Sequence, residues 1–321
     1  MKASVGIDKV NLIDFLEDSL FLSRTEILAF CKSAPYRYKE YTIPKRSGGV
    51  REIAQPSSEL KVFQKAIVNR LMELLPVHDK AFAYRKGIGI RDNALAHKNN
   101  SYLLKMDLVD FFPSISPNML FDCLHKNNIS CGEYEKYILQ QILFKKDRDK
   151  DGLFLSIGAP SSPFLSNCIM YEFDNYLEGY CVQDGVSYTR YADDMTLSTN
   201  EKGKLLGYPK VISSLLYDLY GDSLKVKTEK TVFSSKAHNR HVTGITISND
   251  DKLSLGRKRK RIISAKVYNY LQGTLGAENV SELQGIIAFC NYIEPLFIAR
   301  LRRKYGEDVI IKIKYNHIKQ S

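Results

Sequence analysis

Along the chain the apolar positions switch between helical spacing and alternation, and each switch marks an element. Residues 12–33 carry the helical spacing, with Ser23 and Glu26 as a capping box before Ile27-Leu28-Ala29-Phe30 and Pro35 beyond the end. Strands are predicted over 36–43 and 50–53, joined through Ser47-Gly48-Gly49. Ser57 or Ser58 caps the next helix, whose apolar face runs Leu60, Phe63, Ile67, Leu71, Leu74. Leu103 to Val109 reads as an apolar strand, and Ser116-Pro117 opens a further helix. Helices follow over 133–144, 164–178 and 209–220, with strands near 224–228 and 241–247. From 257 the pattern is helical and basic, opening Arg257-Lys258-Arg259-Lys260-Arg261, so a domain boundary is expected near 250.

One stretch breaks the apolar rhythm. Val186 to Ser198 reads as two β-rich runs on either side of Ala192-Asp193-Asp194. Two adjacent carboxylates on a hairpin tip repel each other, and a divalent cation relieves that repulsion; hard oxygen ligands suit Mg²⁺. Asp250-Asp251 is the same dipeptide and reads as a solvated turn. The setting, not the pair, singles out the first.

Composition narrows the partners. The 321 residues are 44% hydrophobic, enough for two or three packed subdomains. A net charge of +11 and a pI near 9.2 favour a polyanion, nucleic acid before membrane. Six scattered Cys without a CxxC pair argue against a disulfide framework or zinc site and fit a reducing cytoplasm. No secretory signal or membrane-length apolar run is present.

A second carboxylate, Asp107, lies in or at the end of the strand Lys105-Met106-Asp107-Leu108. A lone Asp there is usually a satisfied structural residue or a cap. Beside Asp193 it would complete a site for two ions, suited to in-line phosphoryl transfer. Phe112 would then lie under an incoming sugar and exclude a 2′-hydroxyl, whereas Phe111 reads as core. Ile157-Gly158-Ala159-Pro160-Ser161-Ser162-Pro163 is a fixed turn whose small residues let a nucleotide approach the backbone.

Asp107 with its two Phe, the Gly-Ala-Pro-Ser-Ser-Pro turn and Tyr191-Ala192-Asp193-Asp194 resemble, in order, motifs A, B and C of reverse transcriptases. Asn93-Ala94-Leu95-Ala96-His97 is similar to the NAxxH motif, and Val242-Thr243-Gly244 to the VTG motif, of bacterial retron reverse transcriptases. The resemblance runs from about residue 36 to the end. It implies an α+β, right-hand polymerase fold with a ferredoxin-like palm and a helical thumb. The expected division is an N-terminal helical segment (1–34), fingers (35–98), palm with the primer grip (99–250) and thumb (251–321).

The same resemblance implies the roles. Asp107, Asp193 and Asp194 would hold two Mg²⁺ ions, with Mn²⁺ able to substitute. Lys45 and Arg51 would clamp the triphosphate of a dNTP, with Phe112 as steric gate and Gly158 beside the nucleotide. Lys45 alone reads equally as part of a solvated basic hairpin. Phe82 to Gly87, with Arg85, would contact template and primer, and Lys227 or Lys230 would protonate pyrophosphate. Asn93 and His97 are expected as positioning residues that bear on RNA binding, with no proton transfer; a single His is more often a core or capping residue than a catalyst. Arg257, Arg259 and Arg261 would track RNA phosphates, among interleaved Tyr268, Tyr270, Tyr292 and Tyr305 that can stack on unpaired bases.

The implied product is branched RNA–DNA (msDNA), copied from a cognate structured non-coding RNA and primed by its 2′-hydroxyl. An effector protein in antiphage defence would be a further partner. With no ribonuclease H domain in view, host ribonuclease H would trim the RNA. One position departs from the family: motif B usually opens with Gln, and Ile157 cannot hydrogen-bond nucleotide or template.

Overall fold

The computed structural model describes residues 12–45, 48–147 and 151–315. The helix expected over 12–33 is two, α1 (Leu12–Leu20) and α2 (Arg24–Ser33), because Phe21 takes a φ of 56° between them. The expected capping box is present: Ser23 Oγ accepts from Glu26 N and the Glu26 carboxylate accepts from Ser23 N. β1 (Tyr38–Pro44) and β2 (Val50–Pro56) pair antiparallel with Ile43 opposite Arg51. Ser47 of the expected turn, and residues 1–11 of the expected N-terminal segment, lie outside the described residues.

α3 (Ser58–Met72) is capped by Ser57, whose Oγ accepts from Leu60 N. Then come α4 (Ile90–Ala96), β3 (Tyr102–Leu108), α5 (Pro117–Lys126), α6 (Glu133–Leu143) and the short ribbon β4 (Lys145–Lys146) with β5 (Leu153–Phe154). The helix expected over 164–178 is divided at Met170 into α7 (Ser162–Ile169) and α8 (Tyr171–Gln183). β6 (Ser187–Tyr191), β7 (Asp194–Thr199), α9 (Tyr208–Tyr220) and β8 (Val226–Ser235) follow. The strand expected over 241–247 folds back on itself as β9 (Arg240–Val242) and β10 (Ile245–Ile247). Thr243 (φ 46°) and Gly244 (φ 79°) supply the two positive φ values that such a two-residue turn demands. After β11 (Leu253–Ser254) the chain is helical: α10 (Arg257–Leu271), α11 (Ala277–Ile293), α12 (Pro295–Tyr305) and α13 (Glu307–Tyr315).

β3, β6, β7 and β8 form a four-stranded sheet in the order β6-β7-β3-β8. In chain order this is strand–helix–strand–strand–helix–strand with the first and third strands central, the ferredoxin-like arrangement expected for the palm.

The chain divides into two compact units. The first comprises Met1–Tyr84, Met106–Met195 and Leu206–Thr231. In it, α2 and α3 pack on α6, and the Phe30 and Phe63 rings stack with centroids 4.3 Å apart. Buried Gln64 donates there to the Ile142 carbonyl at 2.9 Å and to Tyr38 at 3.1 Å.

The second unit comprises Arg85–Lys105, Thr196–Leu205 and Val232–Ser321. Its core is built from Val242, Ile245, Ile263, Leu283, Ile287 and Ile298, among others. The reading of Asp250-Asp251 as a solvated turn needs correction here. Asp250 is exposed, but Asp251 accepts from Lys236 and from the buried Arg240 guanidinium, at 2.8 and 3.0 Å. A buried guanidinium needs a counter-charge, and Asp251 supplies it.

All six Cys are free thiols. No helix among the described residues is long and apolar enough to cross a membrane.

Candidate active site

Two pieces of the first unit converge. β3 ends with Asp107 and Leu108, and the β6–β7 hairpin turns through Ala192 and Asp193. Leu108 N donates to the Asp193 carbonyl at 3.2 Å, so the backbone itself fixes the two carboxylate-bearing segments side by side. Ala192 holds a φ of 59°, the left-handed region that an L-residue enters at a cost of about 1–2 kcal/mol. That conformation turns the chain within two residues and puts Asp193 at the tip.

The electrostatics follow from this crowding. Burial, then the Asp107 charge, hold the Asp193 carboxyl above its ordinary range, while Lys230 and Arg51 pull it back. Lys230, on β8, donates to the Asp107 carboxylate. That hydrogen bond, more than the charges of Asp107, Asp193 and Asp194, raises the lysine's own pKa, with burial opposing. One ammonium therefore lies in the field of all three carboxylates. Lys227, the other candidate, pairs instead with Glu229 at 3.6 Å.

Among the described residues no three His, Cys, Asp or Glu side chains close into a cage. Mg²⁺ does not require one: it is commonly held by one or two carboxylates with waters and substrate phosphates. A carboxylate pair crowded enough to raise Asp193, and already drawing in an ammonium, is a donor set of the hardness and charge that such an ion needs. The residues fit.

Around this centre the aromatic residues sort themselves. Phe111 is buried, 4% exposed, as core. Phe112 is half-buried, its ring 6.3 Å from that of Tyr84, a neighbour that sequence reasoning missed. Arg51 is exposed on β2 and acts electrostatically on both Asp193 and Tyr84. Lys45 is also exposed at the hairpin end, its backbone N–H donating to the Gly49 carbonyl at 2.9 Å.

Gly158 is glycine for a visible reason. Its φ is 123°, and a Cβ would stand 3.0 Å from the Ala54 carbonyl oxygen. Next to it, the Ile157 carbonyl accepts from Ala54 N at 2.8 Å, so the motif B turn is laid along β2.

In the second unit the expected RNA-contacting residues divide. Asn93 and His97 are fully buried on and just after α4, so direct contact with RNA is closed to them and their place is in the framework. His97 Nδ1 lies 2.7 Å from Ser198 Oγ, and Asn100 donates to the same hydroxyl at 2.7 Å. Thr243 Oγ1 donates to the Ile90 carbonyl at 3.3 Å, fastening the Val242-Thr243-Gly244 turn to the start of α4. The two signature stretches are thus one packed element.

Arg85 is half-buried, and Arg257 and Arg261 are exposed. Arg259 is turned inward, its guanidinium 4.8 Å from the Phe289 ring centroid, while Lys260 pairs with Glu294 at 2.6 Å. The basic run is therefore only partly a free surface.

Known proteins resemble this chain in sequence. Residues 43–247 match the family described as reverse transcriptase (RNA-dependent DNA polymerase). The chain is 44% identical over 303 residues to retron Ec83 reverse transcriptase of Escherichia coli, covering 93% of this chain and 97% of that one. It is 32% identical to retron Ec73 reverse transcriptase of the same species, covering 86% and 89%, and 28% identical to retron Ec86 reverse transcriptase, covering 97% and 96%. Among solved structures, a telomerase from Candida albicans matches at 11% identity and a TM-score of 0.48, over 88% of this chain and 61% of that one. A paired-carboxylate centre on a ferredoxin-like sheet, inside a chain this similar to those relatives, leads to one conclusion: the protein belongs to the retron reverse transcriptases, RNA-directed DNA polymerases of the right-hand fold.

Proposed function

We propose that the protein copies part of a cognate structured RNA into DNA, starting from a 2′-hydroxyl of that RNA and leaving a branched RNA–DNA product. The pairing of Asp107 with Asp193, fixed by the Leu108–Asp193 backbone bond, is the observation that carries the catalytic half of this reading. The retron relatives support the priming half.

Asp107, Asp193 and Asp194 are the proposed ligands of two Mg²⁺ ions, with Mn²⁺ as a substitute. When bound, such ions polarise the phosphoryl oxygens and lower the pKa of the attacking hydroxyl. The chain's own residues then have distinct tasks. Arg51 and Lys45 hold the triphosphate from the β1–β2 hairpin, and Phe112 with Tyr84 limits the space beneath the sugar. Gly158 keeps the motif B turn flat against β2. Lys230 is the proposed proton donor to departing pyrophosphate; its bond to Asp107, where Lys227 pairs with Glu229, supports that choice. Ile157 offers only its backbone where the family usually has a Gln amide.

We assign 35–98 as fingers, 99–250 as palm and 251–321 as thumb, with 1–34 as the N-terminal segment. Arg85, Arg257 and Arg261 are the proposed RNA contacts, with Arg259 braced behind them. The partners are the cognate RNA, dNTPs, the msDNA product, host ribonuclease H and an effector protein in a cytoplasmic antiphage system.

The test is the product itself. Protein purified from cells carrying the neighbouring RNA gene should retain DNA joined to RNA, and debranching enzyme should shift that DNA on a denaturing gel. Linear DNA, unattached to RNA before any processing, would replace 2′-priming with an ordinary 3′-hydroxyl primer.

A further inference from the structure

Three residues before Asp193, β6 carries a charge where an alternating strand has no obvious use for one. Arg190 is fully buried, and so is its partner Asp174 on α8. Nε and Nη2 of Arg190 donate to the two carboxylate oxygens at 2.8 and 2.6 Å, a bidentate pair. Tyr188 donates its hydroxyl to the same carboxylate at 2.7 Å. The remaining arm, Nη1, donates to the Ala192 carbonyl at 3.0 Å and to Asn167 Oδ1 at 3.3 Å.

The Ala192 carbonyl belongs to the peptide unit whose nitrogen is that of Asp193. A peptide unit is planar, so gripping its oxygen fixes the direction in which the Asp193 Cα leaves the turn. The turn needs this, because Ala192 sits in the left-handed region and only surrounding contacts hold it there. Stability does not demand the pair: well-packed apolar residues of similar volume commonly replace a buried ion pair without loss. Apolar residues cannot donate to the Ala192 carbonyl.

We propose that Arg190 is the positioning residue of the Asp193 turn, with Asp174 and Asn167 orienting its guanidinium so that one arm holds the Ala192–Asp193 peptide. This rests on Asp193 being an ion ligand. Arg190 touches neither substrate nor ion; it acts through the peptide.

The full-length triple variant Tyr188→Phe/Asp174→Leu/Arg190→Met removes every charge and hydroxyl of the cluster together. It should melt within a few degrees of the wild type and bind RNA with unchanged affinity. Its binding of Mn²⁺ alone, followed by electron paramagnetic resonance, should weaken by about tenfold or more. In primer extension kcat should fall about 100-fold with KM for dNTP little changed, the scale expected when a reacting group is misplaced by about 1 Å. A folded triple variant with wild-type Mn²⁺ affinity and kcat overturns the proposal.

If the triple variant does not fold, Arg190→Lys decides. Its single ammonium keeps the pairing with Asp174 but lacks the fork that also reaches Ala192. The same Mn²⁺ and kcat losses are expected, and wild-type values for both overturn the proposal. Asp193→Asn separates the two layers. Full extension activity in that variant removes the ion site itself, whereas an inactive Asp193→Asn beside a wild-type-like Arg190→Lys removes only the positioning.

Discussion

Lys230 reaches across from β8 to donate a hydrogen bond to the Asp107 carboxylate at the end of β3. This bond distinguishes it from Lys227, which pairs with Glu229 two residues along its own strand. Removing Lys230 takes away a counter-charge to the carboxylates and, in the proposed mechanism, the proton source for the leaving group. Lys230→Ala should slow single-nucleotide addition by about 100-fold, the lower end of general acid effects, whereas Lys227→Ala should stay within about twofold. Rapid-quench kinetics on a primed RNA template reads both. Equal losses in the two variants would remove the distinction.

The crowding at Asp193 has a thermodynamic signature. Its carboxyl is held above the ordinary value of 3.8 by burial and then by the Asp107 charge. A folded-state pKa raised in this way gives stability that is full below the unfolded value and is lost as pH rises through the folded value. At neutral pH the ionised Asp193 therefore costs the metal-free protein stability. Asp193→Asn should raise the melting temperature at neutral pH, and the gain should shrink as pH falls toward the ordinary carboxylate range. Calorimetry in chelator would show it; a lower melting temperature for the variant at neutral pH would contradict it.

Phe111 and Phe112 are adjacent in sequence and opposite in consequence. Phe111→Ala empties a core position and should destabilise by about 3–5 kcal/mol, with sugar discrimination intact. Phe112→Ala opens the half-buried space beside Tyr84 and should raise ribonucleotide incorporation at least about tenfold, at little cost in stability. Competing dNTP and NTP in one extension assay separates the two. Unchanged discrimination in an active Phe112→Ala would place the gate elsewhere.

The basic run that opens α10 should behave as two groups. Neutralising exposed Arg257 and Arg261 should flatten the salt dependence of RNA binding by about 0.7–0.9 in log–log slope for each RNA phosphate left without its arginine. Arg259→Met, which removes the guanidinium stacked on Phe289, should lower stability and leave the slope close to wild type. A slope unmoved by the first pair makes that face a solvated surface.

Much of this was legible in the sequence, and what was not has common causes. The carboxylates and the capped helices came from local pattern and motif spacing, and the ferredoxin-like sheet from the family resemblance. The breaks at Phe21, Met170 and Thr243 did not, because the apolar spacing continues through each of them while the backbone changes direction. The pairing of Arg190 with Asp174, sixteen residues apart, depends on α8 lying against β6, which no window of sequence contains. An arginine inside the alternating run Ser187 to Tyr191 was the available signal, since a charge on a buried strand implies a partner. Asp251 was missed in the same way, its partner Arg240 being concealed by an ordinary-looking turn. Asn93 and His97 matched a motif whose chemistry lies in packing, and burial is the one property a motif does not spell out.

The central claim is that the carboxylates at the end of β3 and on the β6–β7 turn carry DNA synthesis. Its most direct test is Mg²⁺-dependent incorporation of dNTP on a primed RNA template by the full-length protein, wild type against Asp193→Asn, with RNA affinity measured on the same samples. Incorporation by the variant should fall by about three orders of magnitude or more while RNA affinity and folding are kept. Near-wild-type incorporation by Asp193→Asn would contradict the account.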